Sequence, residues 1–312
     1  MSIDPEGRPI RVPGPARYGP AWLASKVGGR IERRLALRKA ERAVFGLPER
    51  IVRLPHGLPA PLVVSLTSFP ARFGTLAKTL TSLLNQRVQA DATILWIGHD
   101  QMDALPQDVL RLRDHGLTIR ACVDIRAFTK LIPSLEAFPD SFIVTADDDL
   151  YYEPDWLFTM VSAFARHDPA VICRRAHIAW IEEDGSAAPY NDWELETAAL
   201  AAPHSATALF PTGIGGVLYP PGCFPPEVLN REVFREICPL ADDVWYFWME
   251  LIAGIRRQRA GGPMQLVNWP SSQRISLFHQ NVDRNRNDEQ IRAMEGRYGA
   301  LGSFLRQKAE AA

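Results

Sequence analysis

Cysteine is scarce in this 312-residue chain, and its four copies, Cys122, Cys173, Cys223 and Cys238, stand far apart with no C-x-x-C pair. That spacing excludes a zinc ribbon, a dithiol redox motif and a disulfide framework, and it points to a reducing cytosol. Neither sign of charge is in excess, since 35 Lys+Arg against 36 Asp+Glu leave a formal net charge of -1. A nucleic acid or an anionic membrane therefore meets no global attracting field, and no nucleic-acid partner is expected. Internal repeats and low-complexity tracts are missing as well. The opening MSIDPEGRPI has neither the basic nor the apolar stretch of a secretory signal, so a cytoplasmic location is expected. One long run does lack charge, Thr197 to Pro226, but it holds six prolines and four glycines. A lipid-exposed helix could not survive that density of broken backbone hydrogen bonds, so the run reads as irregular chain lining or covering a site.

What is present is 46% hydrophobic and 23% charged, the balance of a globular protein of one large or two modest domains. Its charge is divided: residues 1 to 50 hold 11 Lys+Arg and 5 Asp+Glu, leaving 24 against 31 for the rest. Residues 1 to about 20, rich in Pro, Gly and Arg, read as a loose arm. Trp22 to Phe45 reads as a helix with Leu23, Val27, Ile31, Leu35 and Leu37 near one face, among Arg30, Arg33, Arg34, Arg38, Lys39 and Arg42. Such a helix either touches an anionic membrane surface, which would place the protein peripherally at the inner face, or packs on its own domain with its arginines solvated.

From Pro61 apolar runs alternate with helical patterns. Strands are expected at Leu62–Leu66, Thr93–Ile97, Leu117–Val123, Ser141–Ala146 and Ala170–Cys173. Helices are expected at Thr75–Gln86, Gln107–His115, Ile132–Phe138, Trp156–Arg166, Asp242–Ile255 and Asp288–Lys308. The alternation predicts an α/β fold, a doubly wound mixed sheet with helices on both faces and an N-terminal helical extension. The expected division is a basic arm and helix over 1–60, a body over 61–285 with halves 61–155 and 156–285, and a C-terminal helix over 286–312. Ligands of such sheets bind beyond the carboxyl ends of the strands.

The strongest chemical signal lies at one such end, where Phe142-Ile143-Val144-Thr145-Ala146 runs into Asp147-Asp148-Asp149. Three like charges behind a buried strand repel unless a cation or donors balance them, and hard carboxylate oxygens suit Mg²⁺ or Mn²⁺. An acidic turn or helix cap would account for one aspartate only. A calcium EF-hand loop fails, because the positions for Gly and Glu hold Tyr152 and Phe158. A phosphatase-type aspartate nucleophile lacks a supporting Ser/Thr and Lys pattern. Further on, Gly213-Ile214-Gly215-Gly216-Val217-Leu218-Tyr219 offers glycines for close backbone approach and a Tyr219 face for stacking, without the Gly-Lys-Ser/Thr ending of a phosphate loop. Ala241-Asp242-Asp243-Val244-Trp245 opens a helix. Its two acids either serve the helix terminus or take a proton from an attacking hydroxyl, with Asp243 placed ahead of Asp242.

These features resemble the GT-A fold glycosyltransferases, in particular the family-2-like enzymes with a D-x-D motif. The resemblance rests on Val63 to Phe73 leading into Leu76 to Gln86 and on the aspartate triplet about 80 residues later. It covers roughly residues 61–285. It implies a hexosyltransferase-type enzyme that uses Mn²⁺ or Mg²⁺ to move a sugar from a nucleoside-diphosphate sugar, a UDP-sugar first among them, to a glycan or glycolipid acceptor in surface polysaccharide synthesis, with inversion. Asp147 and Asp148 would face the donor, and Asp149, Asp147 and His279 would hold the metal. Thr67, Phe69 and Arg72 would lie against base and ribose, Asp124 would bond the base, and Lys130 would meet the diphosphate. Gly215, Gly216 and Tyr219 would frame the sugar and acceptor, Asp243 or Asp242 would act as base, and Arg174 and Arg175 would touch phosphate. Three alternatives stay open: a retaining transferase, a nucleotidyltransferase (although Ser65–Phe73 has no glycine), and a non-catalytic carbohydrate-binding protein using the eight tryptophans.

Overall fold

The structure is a computed structural model that describes residues 20–48, 53–201, 207–262, 264–270, 272 and 286–310. The chain divides into two compact units, Met1–Ala43 and Val44–Ala312. In the first, helix α1 spans Pro20–Ala43, near the expected bounds. Ile31 and Leu35, two members of its predicted apolar stripe, are 53% and 59% exposed. Among the described residues no helix is long and apolar enough to cross a membrane.

The second unit alternates β1 (Leu62–Thr67), α2 (Phe73–Leu84), β2 (Ala92–Gly98), α3 (Gln107–Arg111), β3 (Leu117–Cys122), α4 (Ile132–Ala137), β4 (Phe142–Thr145), α5 (Trp156–Ser162) and β5 (Ala170–Cys173). Then come β6 (Ala176–Trp180), β7 (Thr207–Pro211), β8 (Val217–Tyr219), α6 (Arg231–Ile237), α7 (Asp242–Ile252), β9 (Arg256–Arg259), α8 (Arg286–Tyr298) and α9 (Leu301–Glu310). Seven strands form the main sheet in the order β9-β5-β8-β4-β1-β2-β3. All neighbours are parallel except β8, which lies antiparallel between β4 and β5. This is the mixed α/β sheet that the alternation predicts.

Two corrections concern the second half. The uncharged run from Thr197 is not wholly irregular, because it supplies β7, which pairs antiparallel with β6, and β8 of the main sheet. Its described prolines, from Pro211 on, fall at or beyond strand ends, where a missing N–H costs no ladder bond. The expected tail helix is two helices: Gly299 breaks it at φ +107 while its N–H donates to the Glu295 carbonyl at 2.9 Å. That is a left-handed helix end that only glycine reaches cheaply.

Both faces of the sheet are covered. Leu62, Val64 and Leu66 of β1 pack with Leu76, Leu80 and Leu83 of α2, and each such leucine contributes about 1.5–3 kcal/mol on burial. On another core Ile143, Val171 and Val217 meet Val244, Phe247 and Trp248 of α7. The one polar residue inside β1, Ser65, is fully buried and satisfied, its Oγ donating to the Lys130 carbonyl at 2.5 Å and lying 2.7 Å from Ser134 Oγ. That contact fastens the backbone of Lys130 to the central strand. The chain runs β1, β2, β3 to one side and returns to place β4 on the other side of β1. A crevice opens at that reversal, beyond the carboxyl ends of the strands.

Candidate functional site

A cavity of about 810 Å³ occupies this crevice. Thr67, Ser68, Phe69 and Arg72 after β1, Gln101 after β2, Asp124, Arg126 and Lys130 after β3, and Asp147, Asp148 and Asp149 after β4 line one side. Arg175, Tyr190, Glu196, Phe210, Thr212, Gly213, Asp242 and Asp243 line another. The parallel ladder aims four strand ends at one space, which is why residues more than 80 positions apart share it.

The three aspartates divide their tasks. Asp148 is buried and held on both oxygens: Ser68 Oγ donates to Oδ2 at 2.6 Å and Arg72 Nη1 to Oδ1 at 2.6 Å. Its carbonyl also accepts from Thr79 Oγ1 of α2 at 3.0 Å. Asp148 is therefore a brace between β1, α2 and β4 at the wall of the cavity it was expected to line. Asp149 Oδ2 lies 3.0 Å from the same Arg72 Nη1. Arg72 thus clasps two carboxylates where it was expected on base and ribose. Burial works against its charge, but Asp148 and Asp149 outweigh it and its pKa rises. Asp147 is different: its Oδ2 accepts the Gly215 N–H at 3.1 Å, and its own N–H donates to the Tyr152 hydroxyl at 2.7 Å. Burial, helped by Asp149, pushes its carboxyl up to about 7 although Lys130 pulls the other way.

Across the cavity α7 begins with Asp242 and Asp243. Lys130 Nζ lies 3.0 Å from Asp242 Oδ2, and Asp243 Oδ1 accepts the Gly213 N–H at 2.9 Å. Burial opposes the Lys130 charge, yet Asp242, Asp243 and Asp147 hold its ammonium well above the usual lysine range. Lys130 is accordingly the cation shared by the strand-end and helix-start acids, and it lines the cavity into which a diphosphate was expected. Burial and the adjacent Asp242 push Asp243 up to about 7, against Lys130 and the Gly213 N–H. A carboxyl poised there is a competent proton acceptor at neutral pH.

At another wall Asp124 Oδ1 accepts the Arg126 N–H at 2.7 Å and Oδ2 accepts from Gln101 Nε2 at 3.1 Å. Arg126 has φ +60, so this loop is bent to serve Asp124. Thr67 lines the cavity with its Oγ1 spent on the Trp96 carbonyl at 2.9 Å, and the Arg72 guanidinium stands 5.6 Å from the Phe69 ring centre.

The glycine segment behaves differently from its reading. Tyr219 does not reach the cavity; it sits in β8 between two strands and packs at 5.1 Å on Phe224 and 6.1 Å on Tyr246. A strand inside a sheet covered on both faces has no solvent side to present. Gly215 and Gly216 do not line it either. Gly215 supplies the N–H to Asp147, and its carbonyl accepts from Trp156 Nε1 at 2.7 Å. Gly216, at φ +102, has no room for a side chain, since a Cβ would stand 2.6 Å from Trp156. Gly213 is the member in contact with the chemistry. Arg174 points away, donating to the Ala260 carbonyl, while Arg175 lines the cavity. His279 lies outside the described residues.

Seven acidic and four basic side chains are among the described lining residues. An anionic ligand added to that excess would call for a further cation. Asp149 and Asp147 supply hard carboxylate oxygens at the wall, the donor set a divalent ion takes when phosphate oxygens complete its shell. Among the described residues no three His, Cys, Asp or Glu side chains converge into a self-sufficient metal cage. The residues fit a site shared with a substrate.

No family model matches the sequence, and no curated protein matches it. Among solved structures, the chain is similar to glucosyl-3-phosphoglycerate synthase from Mycobacterium tuberculosis in complex with Mn²⁺, UDP and phosphoglyceric acid, at 16% identity and a TM-score of 0.29 over 37% of this chain and 43% of that one. It is similar also to S. aureus TarS 1-349, at 14% identity and a TM-score of 0.41 over 66% of this chain and 59% of that one. A third is the inositol-1-phosphate CTP transferase from T. maritima, at 11% identity and 0.39 over 77% and 98%. The chain thus covers less than two thirds of the first two. At these levels the likenesses are shallow.

Proposed function

We propose that the protein is a glycosyltransferase that moves a sugar from a nucleoside-diphosphate sugar to an acceptor hydroxyl, with inversion. One observation carries this reading: a single cavity at the sheet's switch point gathers strand-end and helix-start aspartates around one lysine, which pairs with Asp242 and interacts electrostatically with Asp243 and Asp147. Asp243 accepts the proton of the attacking hydroxyl, which is what a carboxyl poised near neutrality does best. Lys130 pairs with Asp242 beside it and stabilises negative charge that develops at the leaving oxygen. Asp124, with Gln101 and the Arg126 backbone, takes the base, and Asp148 with Ser68 and Arg72 keeps the strand end rigid. Asp149 and Asp147 would hold Mg²⁺ or Mn²⁺, whose bound charge neutralises the diphosphate. A UDP-sugar is the first donor to try, a cytoplasmic glycan-building role is the setting that suits it, and contact of α1 with an anionic membrane remains part of the proposal.

The test is a thermal-shift screen of UDP, GDP, CDP and dTDP and their sugars, with and without Mn²⁺, followed by NMR of the product's anomeric carbon. One nucleotide should raise the melting temperature in a Mn²⁺-dependent way. No shift with any of them sinks the transferase reading, and a retained configuration sinks inversion.

A further inference from the structure

On the acceptor side of the cavity the described residues include one cation that the donor chemistry leaves unused, Arg175. It follows β5 in the link to β6, and its Nε and Nη2 both donate to one oxygen, Oε1 of Glu196, at 3.3 and 2.7 Å. Nη1 donates to Thr212 Oγ1 at 3.2 Å. This edge of a guanidinium offers two parallel N–H groups, which a carboxylate or phosphate meets with two oxygens. Here a single oxygen serves both, and its carboxylate is 66% exposed at the rim. An ion pair with one member in solvent exchanges easily. Glu196 also has φ +55, a conformation uncommon outside glycine, and its N–H donates to His177 Nδ1 at 2.8 Å.

The wall beside this pair is aromatic. Tyr190 and Phe210 line the cavity, 6.3 Å apart at 82°, and Trp193 and His177 back Phe210 at 5.1 and 6.2 Å. Burial first, then Arg175, pushes His177 down to about 4, so it adds no competing charge at neutral pH. Burial raises the Tyr190 pKa, Asp243 raises it further and Arg175 opposes them, which places Tyr190 within electrostatic reach of both. Elsewhere in the cavity Lys130 is paired with Asp242 and Arg72 with Asp148 and Asp149, and the fourth cation, Arg126, stands in the Asp124 loop after β3, away from the β5–β6 link.

We infer that the acceptor carries an acidic group, a carboxylate or a phosphate, which takes the Nε–Nη2 edge of Arg175 from Glu196 while its body lies on Tyr190, backed by the buried Phe210, and its hydroxyl reaches Asp243. This rests on the transferase reading and adds the class of acceptor to it. A neutral acceptor leaves Glu196 in place and gains nothing from Arg175. An acidic one exchanges a forked single-oxygen contact for a two-oxygen one.

The experiment uses the full chain with Mn²⁺ and whichever nucleoside diphosphate binds, and measures calorimetric binding of glucose 6-phosphate, glucuronic acid and glucose. At least one acidic sugar should bind about tenfold or more tighter than glucose, a difference of about 1.4 kcal/mol. Tighter glucose 6-phosphate assigns a phosphate, and tighter glucuronic acid a carboxylate. Arg175→Gln should erase the preference, Arg175→Lys should keep part of it, and Glu196→Gln should tighten the acidic sugar about threefold. If Arg175→Gln no longer binds nucleotide, the Glu196→Gln and Arg175→Lys results decide. Equal binding of all three sugars, no binding of any, or a preference that survives Arg175→Gln overturns the inference and leaves the transferase reading intact when nucleotide still binds. Loss of nucleotide binding by the wild-type chain overturns that reading and the inference with it.

Discussion

The strand-end and helix-start acids are built alike and tuned apart. Each group sets one carboxylate firmly on a cation, Asp148 on Arg72 and Asp242 on Lys130, and leaves another lifted to about 7, Asp147 and Asp243. The difference is in the cation and the scaffold. Arg72 spreads its planar fork over Asp148 and Asp149 and, with Ser68, makes the strand end a stiff shelf. Lys130 is a compact charge shared among Asp242, Asp243 and Asp147, and Asp243 rests on the Gly213 backbone N–H. A fork fixes geometry, whereas a point charge tunes protonation. The strand end is thus suited to hold something in place, and the helix start to move a proton.

The sharpest way to break this division is Asp243→Asn. The rate should fall about 10²–10⁴-fold with nucleotide affinity unchanged, which steady-state kinetics and calorimetry on the same variant would show. In the wild type kcat should drop as pH falls through about 7, because protonated Asp243 cannot accept a hydrogen. A rate flat from pH 5 to 8 would remove Asp243 from the base role.

Next in size is Asp149→Asn. It should cost about 10²–10³-fold in kcat/KM and also abolish the Mn²⁺ dependence of nucleotide binding, a double loss that Asp243→Asn does not share. Gly213→Ala tests the seam between the two groups. Its Cβ would fall 2.4 Å from Lys130 Nζ and 2.8 Å from Asp243 Oδ1. The lysine tip can move aside, so the melting temperature should hold, while misplacement of both groups should slow turnover about 10–100-fold. The smallest effect on chemistry should come from Asp148→Ala, a loss of about 2 kcal/mol, read as a fall of about 4–8 °C in melting temperature. If instead it abolished turnover without touching stability, Asp148 would belong with the reacting groups.

Legibility followed the type of signal. Apolar periodicity placed the strands through β5 and most helices within a few residues, because burial on one face leaves a period that needs no partner to read. The aspartate triplet and the α7 start were legible as charge in unusual company. Tyr219 was misread because an aromatic beside glycines looks the same whether it faces a cavity or a core, and only β8's insertion between β4 and β5 separates the two. Gln101, Arg126, Tyr190 and Glu196 had no local signal at all: they lie in links between elements and meet the cavity only after the sheet is assembled. The positive φ values of Arg126 and Glu196 have no counterpart in residue type.

Order along the chain was enough to establish an alternating α/β protein with carboxylates at one strand end and one helix start, since hydrophobic period and charge are properties of residues taken singly. Pairing was not. That Arg72 clasps Asp148 and Asp149, that Lys130 reaches Asp242 across more than 110 positions, and that Asp243 is held near neutrality all depend on distances of about 3 Å set by parallel strands converging on one crevice. Coulomb and desolvation energies vary over ångströms, and a sequence carries no ångströms.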